Sequence, residues 1–422
     1  MDRREFIRSV GVAGGMATGL ASFGGLAAGT ARADSHGAAS ASGSASGGIA
    51  SREAMHAIFD VIREVESKLL TPEAGFTDPA ELAEAERAIA HILHTGLEFW
   101  LEADLDRPVF KPYVTPTRKL LGCNPDSLYY FAAIRPDKTY RVTGNVGAAT
   151  FTSFTIEDGS AEGHAARGSS AALGDDEMEI NSDGSYEIIV SQTKPASGNW
   201  LRLGPNSSQI TTRHYHESRQ SVATIPGRVI PIAIEVLDPE PLAPNGGDAR
   251  NAARLQWVAN FVRDHSAMTF RKTSPEMAKQ LGWTSLVPNQ FNPAGQWRSA
   301  SGQNAYGNTH AWYASANYEL APDEALVITG RFPECRFANV VLWNAFMQSY
   351  DYANRRISLN RNQVEYEKDG SYRIVVAHRD PGVPNWLDTE GRAKGHMYWR
   401  YLFPISAPGK PKTKVVKVDS LR

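Results

Sequence analysis

Hydrophobic positions divide the chain into helical and strand-forming stretches. Between residues 51 and 104, large apolar side chains recur every three or four positions, with a break at Thr71–Phe76, and this spacing predicts two amphipathic helices. From residue 105 onward the pattern changes to short runs of β-branched and aromatic residues bounded by Gly, Pro or Asp-Gly. The sequence therefore predicts an α-helical hairpin at 51–104 followed by a mainly β region.

One passage of the β region occurs twice. Residues 183–201 read DGSYEIIVSQTKPASGNWL, and residues 369–387 read DGSYRIVVAHRDPGVPNWL, without a gap between the two copies. Such a repeat indicates two tandem modules of one fold. We predict a first β module at 105–240, a helical connector at 241–295 and a second β module at 296–422. The fold class is mainly β with helical segments (α+β), with jelly-roll-like β-sandwich modules.

Two local features refine this prediction. Each module ends on a strand of similar chemistry, Arg213-His214-Tyr215 in the first and Arg400-Tyr401-Leu402 in the second. The polar stretch from Glu157 to Glu177 is most simply a long surface loop.

The N-terminal residues predict export. Paired arginines in Asp2-Arg3-Arg4-Glu5-Phe6 precede a weakly apolar stretch and an Ala31-Arg32-Ala33 site, as in a twin-arginine signal peptide at 1–33. Residues 34–50 are mostly Ser, Gly and Ala, which predicts a linker. We therefore expect a periplasmic or secreted protein with no stable membrane span after cleavage; an uncleaved anchor is the alternative.

Charge and cysteine content narrow the partners. The formal net charge is −2, so the sequence shows no basic footprint for nucleic acid. The two cysteines, Cys123 and Cys335, lie in different modules; they could pair in an oxidising compartment, but two free buried thiols are the favoured interpretation. Motifs for a nucleophile elbow, a P-loop, a zincin or a C-x-x-C redox site are absent from the sequence.

Four runs of residues resemble one bacterial family. They are Leu326–Cys335, Ser358–Gln363 and Asp380–Thr389 in the second module, and Asn124–Tyr130 in the first. On these residues the chain resembles the domain-of-unknown-function family numbered 1214. The resemblance implies a jelly-roll-like β fold and no established reaction.

The densest polar passage runs from His378 to Arg392, through a Pro/Gly loop of the kind that carries functional groups on β scaffolds. His378 has no counterpart in the first copy and is the candidate general base, with Asp380 or Asp388 to orient it. Arg379 or Arg392 could bind an anionic group of a substrate. The alternative is structural: Asn385 and Trp386 occur in both copies, which favours a packing role for them.

Two further groups extend this candidate site. If the loops share one end of the sandwich, His310 and His378 could face a single cleft. Tyr350, close to several arginines in the sequence, could add an aromatic surface for a sugar-derived or anionic ligand.

A metal site is the alternative location for chemistry. His214 and His216 are two residues apart on a predicted strand, so both imidazoles point to one face, and imidazole suits zinc, copper and non-haem iron. Closing the ligand set would need His164, His310 or a distant carboxylate.

These features support three hypotheses. The first is an exported hydrolase or lyase that acts by acid/base chemistry on a small organic or sugar-derived substrate. The second is a non-catalytic protein that binds a small-molecule ligand, and the third is a metalloprotein organised on His214 and His216. The sequence leaves the cofactor and the oligomeric state open.

Overall fold

The computed structural model describes residues 49–241, 247–297 and 305–421. The predicted signal peptide and most of the predicted linker lie outside these residues. Within the described part of the chain, no helix combines the length and apolar character needed to cross a membrane.

Two of the four described α-helices begin at a side-chain cap. The four α-helices are Ala50–Leu69 (α1), Pro79–Gly96 (α2), Asp248–Thr269 (α3) and Pro275–Leu281 (α4). A π-helical turn, Leu97–Leu101, extends α2. The Asp78 carboxylate accepts a hydrogen bond from the Ala80 backbone, and the Ser274 hydroxyl accepts one from that of Met277, so both caps satisfy free N–H groups.

The helices form one layer against the first β module. Helix α3 of the connector packs with the predicted α1–α2 hairpin into a shared hydrophobic core. Phe99 of the π turn stacks on Phe131 of the β region with ring centroids 4.1 Å apart, and Phe261 of α3 meets Phe99 edge to face at 6.0 Å. The predicted hairpin is therefore part of a three-helix layer, because its apolar stripe needs a partner.

The strands of the first module form two sheets. Sheet 1 has the order β1-β2-β8-β4-β5 and sheet 2 has the order β7-β6-β3-β9. Their bounds are Lys111–Pro112 (β1), Ser127–Ala133 (β2), Tyr140–Asn145 (β3), Phe151–Asp158 (β4), Gly168–Gly174 (β5), Ser185–Ser191 (β6), Asn199–Arg202 (β7), Ser207–Tyr215 (β8) and Ile232–Val236 (β9).

The second module repeats this arrangement. Sheet 3 has the order β10-β12-β18-β14-β15, with β11 also paired to β12, and sheet 4 has the order β17-β16-β13-β19. The bounds are Thr284–Ser285 (β10), Gly295–Gln296 (β11), Ala311–Glu319 (β12), Glu324–Gly330 (β13), Phe337–Trp343 (β14), Ser358–Asn360 (β15), Tyr372–Ala377 (β16), Trp386–Asp388 (β17), Lys394–Leu402 (β18) and Lys412–Lys417 (β19).

The matching strand orders confirm the predicted fold class of two tandem β-sandwich modules preceded by helices. In each module one face of each sheet supplies a sandwich core. Phe154 and Ile210 of sheet 1 meet Ile188 of sheet 2, and Trp399 of sheet 3 meets Ile374 of sheet 4.

The duplicated loop has the structural role that its repetition suggested. The side-chain amide of Asn199 bonds to the backbone of Glu179 and Glu187, and that of Asn385 bonds to Glu365 and Arg373 in the same way. The following tryptophan of each copy donates its indole N–H to a carbonyl of the preceding strand. These bonds hold the parallel β6–β7 and β16–β17 pairs together.

The prediction of a surface loop from Glu157 to Glu177 was wrong. This stretch contains β5, which pairs with β4 antiparallel, and Glu157 itself is fully buried. Ser, Gly and Ala dominate β5, so its pattern carries no strand signal, and pairing with β4 decides its structure.

The outer faces of sheets 1 and 3 pack against each other and join the two modules. Tyr215 of β8 lies 5.2 Å, centroid to centroid, from Phe337 of β14, within a shared apolar cluster that includes Leu402. The Asn339 amide donates to the side chains of Asn124 at 2.7 Å and Asp126 at 2.9 Å. Cys123 and Cys335 are free thiols, as favoured from the sequence.

A glycine in each module makes room for a cross-strand tyrosine. A Cβ on Gly144 would lie 2.3 Å from the Tyr186 hydroxyl and 2.9 Å from the Pro231 carbonyl oxygen, and Gly330 has the same relation to Tyr372. We expect Gly144→Ala to lower the free energy of unfolding by about 1–3 kcal/mol, because the added methyl overpacks the site. Denaturant unfolding measures this loss. Gly409, which has no atom within 4 Å of such a Cβ, is the control; equal losses for both variants would contradict the packing argument.

Candidate functional site

Arg400 is a buried cation between the two modules. It lies on the outer face of sheet 3, directly across from Tyr313 on one side and Asn339 on the other. Its side chain is only 6% exposed, and the guanidinium lies over the rings of Trp343 at 4.9 Å and Tyr398 at 4.8 Å. Nη2 donates to the Gly122 carbonyl at 2.6 Å, whereas Nη1 has no hydrogen-bond partner among the described residues.

No carboxylate of the described residues neutralises this charge. Within the described part of the chain, no Asp or Glu oxygen lies within ion-pair distance of Arg400. Taking an ion out of water costs several kcal/mol unless it is paired and hydrogen-bonded. The protein therefore maintains an electrostatically costly group in its interior, which is a common property of functional sites.

Four tyrosines lie close enough to act electrostatically on the guanidinium: Tyr129 and Tyr215 from sheet 1, and Tyr313 and Tyr398 from sheet 3. We call Arg400 and these four tyrosines the inter-module site. Burial raises the pKa of Tyr129 and Tyr398 well above the ordinary value, and that of Tyr313 to about 12, although Arg400 acts in the opposite direction. These phenols stay neutral at physiological pH and keep a hydroxyl that can donate a hydrogen bond.

Two tyrosines of the inter-module site keep part of their surface exposed. Tyr129 and Tyr398 are half-buried, and burial is the largest cause of the rise in their pKa. Asn317, at the end of the same face of sheet 3, is exposed, so this face reaches solvent.

Several polar atoms near the inter-module site lack partners. Among the described residues, neither Ser153 Oγ nor Asn339 Oδ1 nor Asn308 Nδ2 makes a hydrogen bond, and each of these residues is at least nine-tenths buried. Buried polar groups are nearly always hydrogen-bonded to protein or to ordered water, so these atoms are available to bond a water molecule or a ligand.

The first module supplies an equivalent arginine with different surroundings. Arg213 on sheet 1 lies across from Tyr129 and Ser153, as Arg400 lies across from Tyr313 and Asn339. It donates to the Thr155 hydroxyl at 2.8 Å and the Tyr306 carbonyl at 2.9 Å. Its nearest carboxylate is Glu157, whose Oε1 is 3.9 Å from Nη2.

Glu157 is fully buried, and its carboxylate oxygens accept hydrogen bonds from the Tyr306 backbone N–H, at 3.1 and 3.3 Å. Desolvation raises its pKa to about 7, which Arg213 and the Tyr306 N–H partly counteract. Near neutral pH this carboxyl group is therefore present in both its neutral and its charged form.

The predicted base His378 lies away from the inter-module site. Its Nδ1 is 2.6 Å from the Thr389 hydroxyl, and its Nε2 is 3.3 Å from the Leu320 carbonyl oxygen, so both ring nitrogens have protein partners. Asp380 is exposed and accepts a bond from the Gly382 backbone within its own turn. Neither Asp380 nor Asp388 contacts the imidazole in the described structure.

His310 and His378 do not share a cleft. His310 directly precedes β12, and the Leu320 carbonyl that His378 contacts directly follows it. The nine residues of β12 span about 30 Å at ~3.3 Å per residue, so the two imidazoles lie at opposite ends of the module. His310 instead packs between Phe151 and Phe403.

The remaining predicted ligand-binding residues are paired within the protein. Arg392 contacts Glu84 of α2 at 2.5 Å and lies 4.4 Å over the ring of Tyr350, so these two predicted residues do come together. Tyr350 is buried, and its hydroxyl is 2.7 Å from that of Tyr318.

Two other residues of this loop are also paired. Asp388 pairs with Arg355 at 2.7 Å, and exposed Arg379 pairs with Asp419 at 2.9 Å. Both ion pairs are intramolecular and connect separate elements of the fold. The described contacts do not bring Asp388 and Arg379 together in a ligand site.

The predicted histidine pair lies in the first module, with His214 on β8 and His216 directly after it. His214 has no exposed surface, and its ring nitrogens lie 3.0 Å from the Thr212 hydroxyl and 3.4 Å from that of Thr152. Burial lowers the pKa of His214 to about 3 and that of His216 to about 4. Among the described residues, no group of three His, Cys, Asp or Glu side chains is arranged to hold a metal ion. His164, the proposed third ligand, bonds instead to Asp264 at 3.0 Å.

Sequence reasoning did not identify Arg400, Arg213 and Glu157 as site residues. The available signal was β8 itself, which carries polar or aromatic side chains on both faces and is buried along its whole length. A strand that is buried on both faces and carries an arginine indicates a polar interface on the face that does not line the sandwich core.

Comparisons with known proteins agree with this architecture. The model of the family described as protein of unknown function, DUF1214, matches residues 132–219 and 314–405, one segment in each module, which confirms the resemblance. An uncharacterised protein from Burkholderia cenocepacia is similar at 28% identity and a TM-score of 0.74, over 88% of this chain and 99% of that one. A Vibrio parahaemolyticus protein is 15% identical with a TM-score of 0.46, over 86% of this chain and 100% of that one. No curated protein matches the chain.

The two central arginines should respond differently to replacement by an apolar side chain. We expect Arg400→Met to change the free energy of unfolding of dialysed protein by less than about 1 kcal/mol, because the loss of an unpaired buried charge offsets the lost contacts. Arg213→Met should cost about 3 kcal/mol, since it leaves Glu157 buried without a cation. Denaturant unfolding at pH 8, where Glu157 is mostly charged, compares them. Equal losses would show that Arg400 is held by internal partners as well as Arg213 is.

Proposed function

We propose that this protein binds a small anionic organic molecule in the inter-module site, with Arg400 as its countercharge. The observation that carries the proposal is the Arg400 guanidinium, nine-tenths buried, with Nη1 unpartnered and no described carboxylate within ion-pair distance. A carboxylate bound there would satisfy the free donor and neutralise the charge, which is how arginine most often recognises such groups.

The surroundings favour a ligand with a flat apolar body. Tyrosine rings from both modules line the site, and Tyr215 and Phe337 close one side. Aromatic walls bury apolar surface, while phenolic hydroxyls and the Asn308 amide add donors that would fix the orientation of an acid. An aromatic or otherwise planar carboxylate fits this combination.

Binding is the function that the geometry supports best. Hydrolase or lyase chemistry centred on His378 is a further hypothesis, and the bonds of both its ring nitrogens to Thr389 and Leu320 favour a positioning role instead. The metalloprotein hypothesis on His214 and His216 likewise gains no third ligand from the described residues.

Benzoate and benzamide, which have nearly the same shape, test the role of Arg400. We expect benzoate to bind at least about tenfold more tightly than benzamide, because a hydrogen bond to a charged group contributes about 1.5–3 kcal/mol. Arg400→Met should reduce that ratio to about one. Isothermal titration calorimetry measures both affinities, and quenching of Trp343 fluorescence reports on occupancy of the site.

His378→Ala is the matched control, because this residue lies outside the inter-module site. It should bind benzoate as the wild type does. A preference for benzoate that survives Arg400→Met and disappears in His378→Ala would move the site to the second module's loop. Failure of the wild type to discriminate benzoate from benzamide would refute the proposal.

We also propose that the protein acts outside the cytoplasm after twin-arginine export. Replacement of Arg3 and Arg4 by lysine should leave the full-length precursor inside the cell, whereas the wild type should yield a mature chain that starts at Asp34. Cell fractionation with N-terminal sequencing of the mature chain measures both. Recovery of the unprocessed wild type in the membrane fraction would favour the uncleaved anchor.

A further inference from the structure

We infer that the ligand of the inter-module site is a dianion, with one carboxylate on Arg400 of the second module and the other on Arg213 of the first. This inference rests on the proposed function and specifies the class of its ligand. It follows from the duplication, which placed the same cross-strand arrangement on two sheet faces that then packed against each other.

The two arginines occupy equivalent positions on facing sheets. On sheet 1 the row is Tyr129–Arg213–Ser153, and on sheet 3 the row is Tyr313–Arg400–Asn339. In each row a tyrosine precedes the arginine and a small polar residue follows it. Both arginines are buried, on the sheet faces through which the two modules pack against each other.

Both guanidinium groups act on the same tyrosines. The charge of Arg213 and the charge of Arg400 each lower the pKa of Tyr129, and both do the same to Tyr313. Electrostatic effects of this kind fall off with distance, so both guanidiniums lie within electrostatic range of these two rings. A planar body stacked among those rings would present its ends to opposite cations.

Free hydrogen-bonding atoms lie at both ends. Arg400 Nη1 is an unpartnered donor at the second module's end, and the Ser153 hydroxyl is unpartnered beside Arg213. A single carboxylate on Arg400 would leave Ser153 without a partner. A second acidic group at Arg213 would also accept a bond from that hydroxyl.

The protonation of Glu157 makes binding of a second carboxylate at Arg213 depend on pH. Its separation of 3.9 Å from Arg213 is too long for a hydrogen bond, so the ion pair is loose. While Glu157 is neutral, Arg213 can attract a second carboxylate. Once Glu157 is charged, it competes with the ligand for the same cation.

The other groups around Glu157 do not produce the same pH dependence. Asp158, the neighbour on its own strand, adds to the rise in its pKa, and the buried phenols Tyr113 and Tyr306 have raised pKa values themselves. On α3, burial lowers the pKa of His265 to about 4, and Asp264 is bonded to His164.

His164 is the one neighbour in this set that needs a control. A hydrogen bond to Asp264 raises its pKa, so it can titrate in the same range as Glu157.

The experiment compares benzene-1,3- and benzene-1,4-dicarboxylate with their monomethyl esters, which keep the shape and carry one charge less. At pH 6, where about 10% of Glu157 is charged, we expect the better dicarboxylate to bind about tenfold more tightly than its ester. At pH 8, where about 90% is charged, the advantage should fall to about twofold.

Two variants assign the pH dependence. Glu157→Gln replaces the carboxyl group by a carboxamide of nearly the same shape, so the dicarboxylate should keep its tenfold advantage over the ester at both pH values. His164→Asn should behave as the wild type does. Calorimetry in buffers of different ionisation enthalpy adds an independent readout: the dicarboxylate should take up a proton on binding at pH 7.5, and the ester should take up none, because binding and protonation are linked.

The outcomes separate this inference from the proposed function. If both esters bind through Arg400 but the dicarboxylates gain nothing at pH 6, and Glu157→Gln has no effect, the dianion is wrong and the monoanion site stands. If neither compound binds and Arg400→Met changes nothing, both fail. A pH dependence that disappears in His164→Asn and persists in Glu157→Gln would also overturn the role of Glu157.

Discussion

The structure depends on how two charged sheet faces can be buried against each other. Each β-sandwich has an ordinary apolar interior, but the second faces of sheets 1 and 3 carry Arg213 and Arg400 and are covered by the partner module and the helices. Desolvation of a guanidinium is costly, so the surrounding residues must offset it. The apolar contacts of Tyr215, Phe337 and Leu402 at one end stabilise the packing of the two faces. Near the arginines, several buried polar atoms have no hydrogen-bond partner among the described residues.

The polar contacts at the junction fix how the modules are joined. Asp126 is fully buried and accepts bonds from Ser221, Asn339 and Asn360, so residues of both modules converge on one carboxylate. Arg361 of the second module likewise pairs with Glu217 of the first at 2.5 Å. Such contacts are directional, and they set the orientation of the two sandwiches more narrowly than apolar packing alone would. A stable inter-module site requires that orientation.

The duplicated modules have diverged where chemistry is concentrated. The position across from the arginine is Ser153 in the first module and Asn339 in the second. Further along the same faces, Glu157 is the counterpart of Trp343. Arg213 therefore has a carboxylate nearby, whereas Arg400 has an indole against its guanidinium. The two arginines occupy equivalent positions in the two modules but have chemically different surroundings. This asymmetry is what a ligand with distinguishable ends would exploit.

Local patterns in the sequence predict the helices, most of the strands and the duplication: apolar spacing in α1 and α2, and the repeated Asn-Trp-Leu loops whose amide bonds hold β7 and β17. Glu157 and β5 were misjudged because a stretch of Ser, Gly and Ala has no periodicity until a neighbouring strand pairs with it. His378 stood out in the repeat alignment, yet it lies about one strand length from His310. The placement of Arg213 and Arg400, 187 positions apart in the chain, on facing sheets follows from tertiary packing, because the contact of one module's outer face with the other is a long-range contact that no local pattern encodes.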